Sequence, residues 1–188
     1  YSAANKLRIF EWEQCHLYSD ILFCDLDILW RNSPDEMFAS IEEGKICFSC
    51  EHPRAMDGRY HAGNGLFDKN ELKEIKKHRV AGVNTGLFGF KSNLLFHFKA
   101  MHDFLIKNAD RLGPCLEQPC MNVYCYRNKI LSRSLTPLVS QSGYKELAYF
   151  KDKDFSAIHF QGGPGNSKYK YQKMNKFYNF FINPNNKP

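Results

Sequence analysis

YSDILFCDLDILW, residues 18–30, is the most apolar run in the chain, and it carries two aspartates, Asp25 and Asp27, separated only by Leu26. Its length and β-favouring composition are those of a central strand buried on both faces. In extended chain, side chains two positions apart point to the same side, so the two carboxylates can converge on one cation. Ligands of open α/β sheets gather beyond the carboxyl ends of the strands, where this pair is expected. Hard oxygen ligands in that number suit Mg2+ or Mn2+, ions that keep positions open for phosphate oxygens. A strand end turning into solvent shows the same residues, so the pair needs support from elsewhere in the chain.

Residues 3–15, before this run, set Leu7, Ile9 and Phe10 at helical spacing. After it, NSPDEMFASIEEG (32–44) has the marks of a short helix, with Ser33 as N-cap, Pro34 at the first helical position and Gly44 at the stop. KICFSCEH (45–52) alternates as a strand, and PRAMDGRYHAGNGLFD (53–68) reads as a long loop of the kind that carries function. A short helix is expected over NELKEIKKHR (70–79) and a strand over VNTGLFGFKS (83–92). The chain's best amphipathic helix spans residues 93–113, with an apolar stripe of Leu94, Leu95, Phe98, Met101, Leu105 and Ile106. LEQPCMNVYCYRN (116–128) follows as a helix with Pro119 in its first turn, KILSRSLTPLVSQ (129–141) as extended pieces, and DFSAIHF (154–160) as a strand. KYKYQKMNKFYNFFI (168–182) closes as a helix. This alternation predicts one α/β domain over residues 1–182, a mixed, mostly parallel sheet flanked by helices, with a polar tail at 183–188.

A chain of 188 residues that is 43% hydrophobic can bury one core and is not a disordered tail. The net charge of +6 admits an anionic partner, but the basic residues are scattered, and only KYKYQK interleaves lysine with aromatics, so nucleic acid is not expected. Seven cysteines, an odd number without a compact framework, read as mostly reduced. Cys47 and Cys50 form a CxxC with no second one at zinc-finger distance and are expected in the core. His97 and His102 are expected to pack or lie at the surface. No apolar run reaches the length of a membrane span, and the start is not a signal peptide. Reduced cysteines point to the cytoplasm, with the ER or Golgi lumen open if an anchor precedes Tyr1. A start without Met that enters a helix at once reads as a fragment.

A second strand end repeats the layout of the first. IHFQGGPGNSK (158–168) delivers His159, then glycines that let a backbone approach a ligand, then Lys168. Imidazole is an apt third ligand for a Mn2+-like ion, and the ammonium of Lys168 can neutralise a phosphate oxygen.

KLRIFEW, YSDILFCDLDILW, VNTGLFGFKSN, LEQPCMN and IHFQGGPGNSK occur in the order and approximate spacing of the GT-A glycosyltransferases of family 8, the glycogenin and bacterial galactosyltransferase group. The chain resembles that family from Lys6 to about residue 170. The resemblance implies a GT-A, Rossmann-like fold and a metal-dependent hexosyl transfer from a nucleotide-sugar, a UDP-sugar by preference, to an acceptor hydroxyl with retention of configuration. It implies Asp25 and Asp27 as the DxD ligands of Mn2+ (or Mg2+), with His159 as the third. Lys6 matches a basic residue that contacts the nucleotide-sugar, and Asn84, Thr85 and Gly86 match a turn beside the donor sugar. Glu117, Gln118 and Asn122 match the DQxxxN motif, with Gln118 near the anomeric centre. Gly162 and Lys168 match the glycine and lysine that clasp the diphosphate.

Two departures stand out: Glu117 replaces the usual Asp, and the segment after His159 is longer than in the best-known members. The family's Rossmann-like βαβ region, which grips base and ribose, is expected upstream of Lys6. The glycan, protein or lipid identity of the acceptor stays open. Two other classes also remain: a metal-dependent phosphohydrolase, which uses carboxylates and His, and a non-catalytic sugar-binding fragment.

Overall fold

The apolar run 18–30 does not form one strand. In the computed structural model it divides into β1 (Asp20–Cys24) and β2 (Ile28–Trp30), which join different sheets, and residues 25–27 make the turn between them. The structure describes residues 2–58, 60–112, 116–142, 147–150, 153–161 and 167–183. After β2 come α1 (Asp35–Ala39), β3 (Ile46–Ala55), α2 (Lys69–Lys77), β4 (Ala81–Lys91), α3 (Leu95–Lys107), α4 (Ala109–Leu112) and α5 (Glu117–Arg127). Short strands β5 (Leu131–Ser132), β6 (Val139–Gln141) and β7 (Ala157–His159) precede α6 (Ser167–Phe181).

The fold is α/β, with two mixed sheets flanked by helices. One sheet has the order β1-β4-β3-β5, the other β2-β7-β6. The expected parallel majority is not found, since β1–β4, β3–β4 and β2–β7 pair antiparallel and only β3–β5 and β6–β7 are parallel. Alternation of strands and helices suggests parallel crossovers, but a long connection permits either direction. The segment between β3 and β4 carries α2 and still returns the chain antiparallel.

The central place expected for the run 18–30 belongs to β4. Every residue from 82 to 90 is buried, whereas in β1 only Ile21 is buried and β4 is its one neighbour among the described residues. A strand covered on both faces must be apolar on both, and FGF with small residues before it meets that demand as well as DILFC does. The N-terminal helix expected over residues 3–15 takes the tighter 3-10 form, over Ser2–Glu11 and Glu13–Leu17. Its Leu7 is fully buried.

α3 covers the larger sheet with Leu95, Phe98, Met101 and Leu105, while Ile106, expected in the same stripe, is exposed. Phe98 meets Phe90 at 4.3 Å and Phe88 at 5.7 Å between ring centroids, and Phe88 stacks on Phe23 at 4.9 Å. Cys47 is a buried core residue whose sulfur accepts the Glu42 N–H at 3.2 Å. His97 hydrogen-bonds the Tyr124 hydroxyl at 3.0 Å, so it packs as expected. On the smaller sheet, α6 packs Phe177, Met174 and Phe181 against Phe150, Phe155, Ile158 and Phe160. No helix among the described residues is long and apolar enough to cross a membrane.

Phe98→Ala removes the ring that ties α3 to the sheet, with an expected cost of about 3–5 kcal/mol. Ile106→Ala should stay within about 0.5 kcal/mol. Urea unfolding of both variants checks the pair.

Candidate metal centre

Two backbone hydrogen bonds set the turn at residues 25–27. The Asp25 N–H donates to the Gly86 carbonyl at 2.7 Å, and the Phe160 N–H donates to the Asp27 carbonyl at 2.9 Å. The antiparallel register of β2 on β7, with Ile28 opposite His159, then brings the histidine beside Asp27. The carboxylates therefore converge through a turn clamped at both ends, not by strand alternation, and Leu26 between them is 99% exposed.

Ligand atoms of Asp25, Asp27 and His159 all lie within 4.8 Å of one another, and among the described residues they are the one such group. Gln141 orients the imidazole. Its Oε1 accepts from Gln161 Nε2 at 2.7 Å and its Nε2 donates to Ser49 Oγ at 2.8 Å. The Nδ1 of His159, 3.1 Å from the same Oε1, is therefore a donor, which turns Nε2 toward the carboxylates. That Nε2 is 3.2 Å from Asp27 Oδ1, which is buried and receives no well-aligned hydrogen bond. At that separation the two atoms can share a proton or a metal ion. Two carboxylate oxygens and an imidazole nitrogen could hold a metal ion.

Two lysines flank the carboxylates. Lys6 Nζ lies 3.2 Å from both oxygens of Asp25 and 3.3 Å from Glu117 Oε1, and donates to the Thr85 carbonyl at 3.1 Å. Lys170 Nζ donates to Asp27 Oδ2 at 2.6 Å. Burial lifts the Asp25 carboxyl above the usual range, and the Lys6 ammonium does not fully offset it. Burial acts the same way on Asp27, but the hydrogen bonds and charges of His159 and Lys170 outweigh it and hold that carboxyl at about 2.

The group sits where two cavities meet. One, of about 840 Å3, is lined by Lys6, Phe23, Asp25, Asp27, Lys170, Tyr171 and Met174 among others. The other, of about 330 Å3, is lined by Asp25, Asp27, Glu51, His61, Asn84, Thr85, Gly86, Glu117, Gln118, His159 and Gln161. Asn84 Oδ1 accepts the Gly86 N–H at 2.8 Å, and its Nδ2 donates to Gln118 Oε1 at 3.4 Å. Gly86 is required by space: a Cβ there would lie 2.5 Å from His159 Cε1 and 2.7 Å from Nε2. Glu117 is 8% exposed, and its Oε2 has no hydrogen-bond partner among the described residues.

Of the residues expected at the site, Lys6, Asp25, Asp27, Asn84, Thr85, Gly86, Glu117, Gln118 and His159 come together. Asn122 does not join them. It is fully buried, and its amide binds the main chain at Val83 N, Val83 O and Gln118 O, which ties α5 to β4. Lys168 is exposed on the first turn of α6 and lines neither cavity. Lys170 lines the larger cavity instead, because residues 170, 174, 177 and 181 share one helix face and Phe177 is the buried anchor. The helical period of KYKYQKMNKFYNFF carried that signal. Gly162 lies outside the described residues. Gln141, Glu51 and His61 had no motif to single them out.

No protein-family model matches the chain, and no curated protein matches it.

Gly86→Ala should push His159 out of register and abolish stabilisation by Mn2+ in a thermal melt, while an alanine at exposed Leu26 leaves it intact. A carboxyl held below its ordinary value adds stability that is present above that value and is lost as pH falls toward the folded pKa; a raised carboxyl does the opposite. In EDTA at pH 7, Asp27→Asn should therefore lower Tm and Asp25→Asn should leave it equal or higher. The Asp27 increment should fade between pH 4 and about 2.

Proposed function

We propose that this chain is a metal-dependent glycosyltransferase of GT-A type that moves a hexose from a nucleoside diphosphate sugar, a UDP-sugar by preference, to an acceptor hydroxyl with retention. The observation that carries this reading is the convergence of Asp25, Asp27 and His159 between two lysines, on the wall shared by an aromatic cavity and a polar one.

Asp25, Asp27 and His159 would hold Mn2+ or Mg2+, which supplies Lewis-acid neutralisation of the leaving diphosphate. Lys6 and Lys170 stand at the carboxylates, where their ammonium groups can bind phosphate oxygens as charge builds on the leaving group. Phe23, Tyr171 and Met174 offer the larger cavity an apolar wall suited to part of a nucleoside. The smaller cavity takes the hexose, with Asn84, Gln118 and Glu117 to hydrogen-bond its hydroxyls. Glu117 Oε2, buried without a partner, is an acceptor awaiting such a hydroxyl. The transition state is oxocarbenium-like, so carboxylate and amide oxygens beside the anomeric carbon stabilise it.

Asp27→Ala in the full-length protein should remove Mn2+-dependent turnover of UDP-sugars, by at least about a hundredfold. Undiminished activity rejects the metal assignment. A thermal shift with UDP and Mn2+ together, exceeding that with either alone, supports the transferase. A response to Mn2+ that UDP does not enhance favours a phosphohydrolase.

A further inference from the structure

The smaller cavity holds a second polar group that the metal site does not use. Glu51, half-buried at the end of β3's regular pairing, accepts on Oε2 from His61 Nε2 at 2.9 Å and from Gln118 Nε2 at 2.7 Å. His61 comes from the short 3-10 turn Tyr60–Ala62, in the segment between β3 and α2.

This turn is held firmly by its neighbours. Ala62 is 2% exposed, and a Cβ at Gly82 of β4 would approach its Cβ to 3.0 Å. The next residue, Gly63, has φ of +95°, and a Cβ there would meet Val123 Cγ2 at 2.5 Å and the Pro119 carbonyl at 3.0 Å. The turn is thus wedged between β4 and α5, at a point where only glycine has the backbone freedom and the space. His61 is aimed at Glu51 by packing and stays 30% exposed toward the cavity.

Position and tautomer define what the pair can bind. A carboxylate oxygen has only lone pairs, so the imidazole hydrogen sits on Nε2, and Nδ1 of the neutral ring is an acceptor. In that form His61 Nδ1, beside the Glu51 carboxylate, offers an acceptor to a hydroxyl that donates. The pair is also the end of a polar chain that leads away from the metal: Gly86 beside His159, then Asn84, Gln118, Glu51 and His61. With diphosphate at the carboxylates and hexose against Asn84 and Gln118, the far end meets the attacking hydroxyl.

We propose that Glu51 and His61 form the acceptor subsite and bind the attacking O–H of an alcohol, a polyhydroxylated acceptor by preference. This rests on the glycosyltransferase reading. The pair orients the oxygen toward the anomeric carbon; Gln118 is shared between donor and acceptor sides through its two bonds.

Water can stand in for the acceptor, so the test needs no acceptor identity. Full-length protein with Mn2+ is given UDP-glucose, UDP-galactose and UDP-N-acetylglucosamine separately, and UDP release is timed while UDP affinity is measured by calorimetry. His61→Phe, which keeps the ring's bulk, and Glu51→Ala should each lower kcat about tenfold or more, with the UDP Kd held within about threefold. His61→Asn, which restores a polar group, should recover part of the loss. Rates within about twofold of wild type in both variants overturn the subsite. A wild-type protein that does not bind UDP with Mn2+ overturns the glycosyltransferase reading itself, and the subsite with it; one that binds UDP but releases it from none of the three sugars overturns the subsite alone, since a site built for an attacking O–H would seat water.

Discussion

Two main-chain hydrogen bonds, Asp25 N–H to Gly86 and Phe160 N–H to Asp27, carry the organisation of this molecule. Each ties one end of a three-residue turn to a different sheet. The larger sheet, through β4, therefore sets where Asp25 stands, and the smaller, through β7, sets Asp27 and His159 together. The group forms at the seam, and its geometry depends on the packing of both sheets. Gly86 is the joint of that seam, since its carbonyl receives Asp25 and its missing side chain leaves room for the imidazole.

Charge at the seam is balanced unequally. Lys6 is shared by Asp25, Glu117 and the Thr85 carbonyl, so no one acceptor receives its full effect, and burial wins at Asp25. Asp27 has Lys170 at 2.6 Å and His159 beside it, and the charged form wins. Buried carboxylates that cost stability persist where they bind something.

Asp25, Asp27, His159, Asn84, Thr85 and Gly86 stand out in the sequence by local chemistry, and the fold brings them together. DxD, the histidine before a glycine turn, and NTG are each short, and each lies in or beside a strand whose apolar run marks it. Local pattern does not suffice where a face has to be chosen. Lys168 follows the glycines, but Lys170 shares the helix face with Met174 and Phe177, and burial of Phe177 decides which lysine turns inward. Asn122 falls in a motif, yet its amide is consumed by β4's backbone. Glu51 and His61 come from a segment without periodicity, and only the wedge of Gly63 against α5 brings them to the cavity.

What the sequence by itself determined is the chemistry available: two carboxylates one residue apart, an imidazole, lysines at both ends, and enough apolar strand and helix to bury around them. It also determined most element positions, because apolar period and turn residues are local properties. Strand direction, the division of residues 18–30 between two sheets, and the partners of each charged group were decided by tertiary structure alone. Those depend on which long-range hydrogen bonds close, such as β1 on β4 across more than sixty residues and β2 on β7 across more than a hundred and twenty, and no local pattern encodes such a pairing.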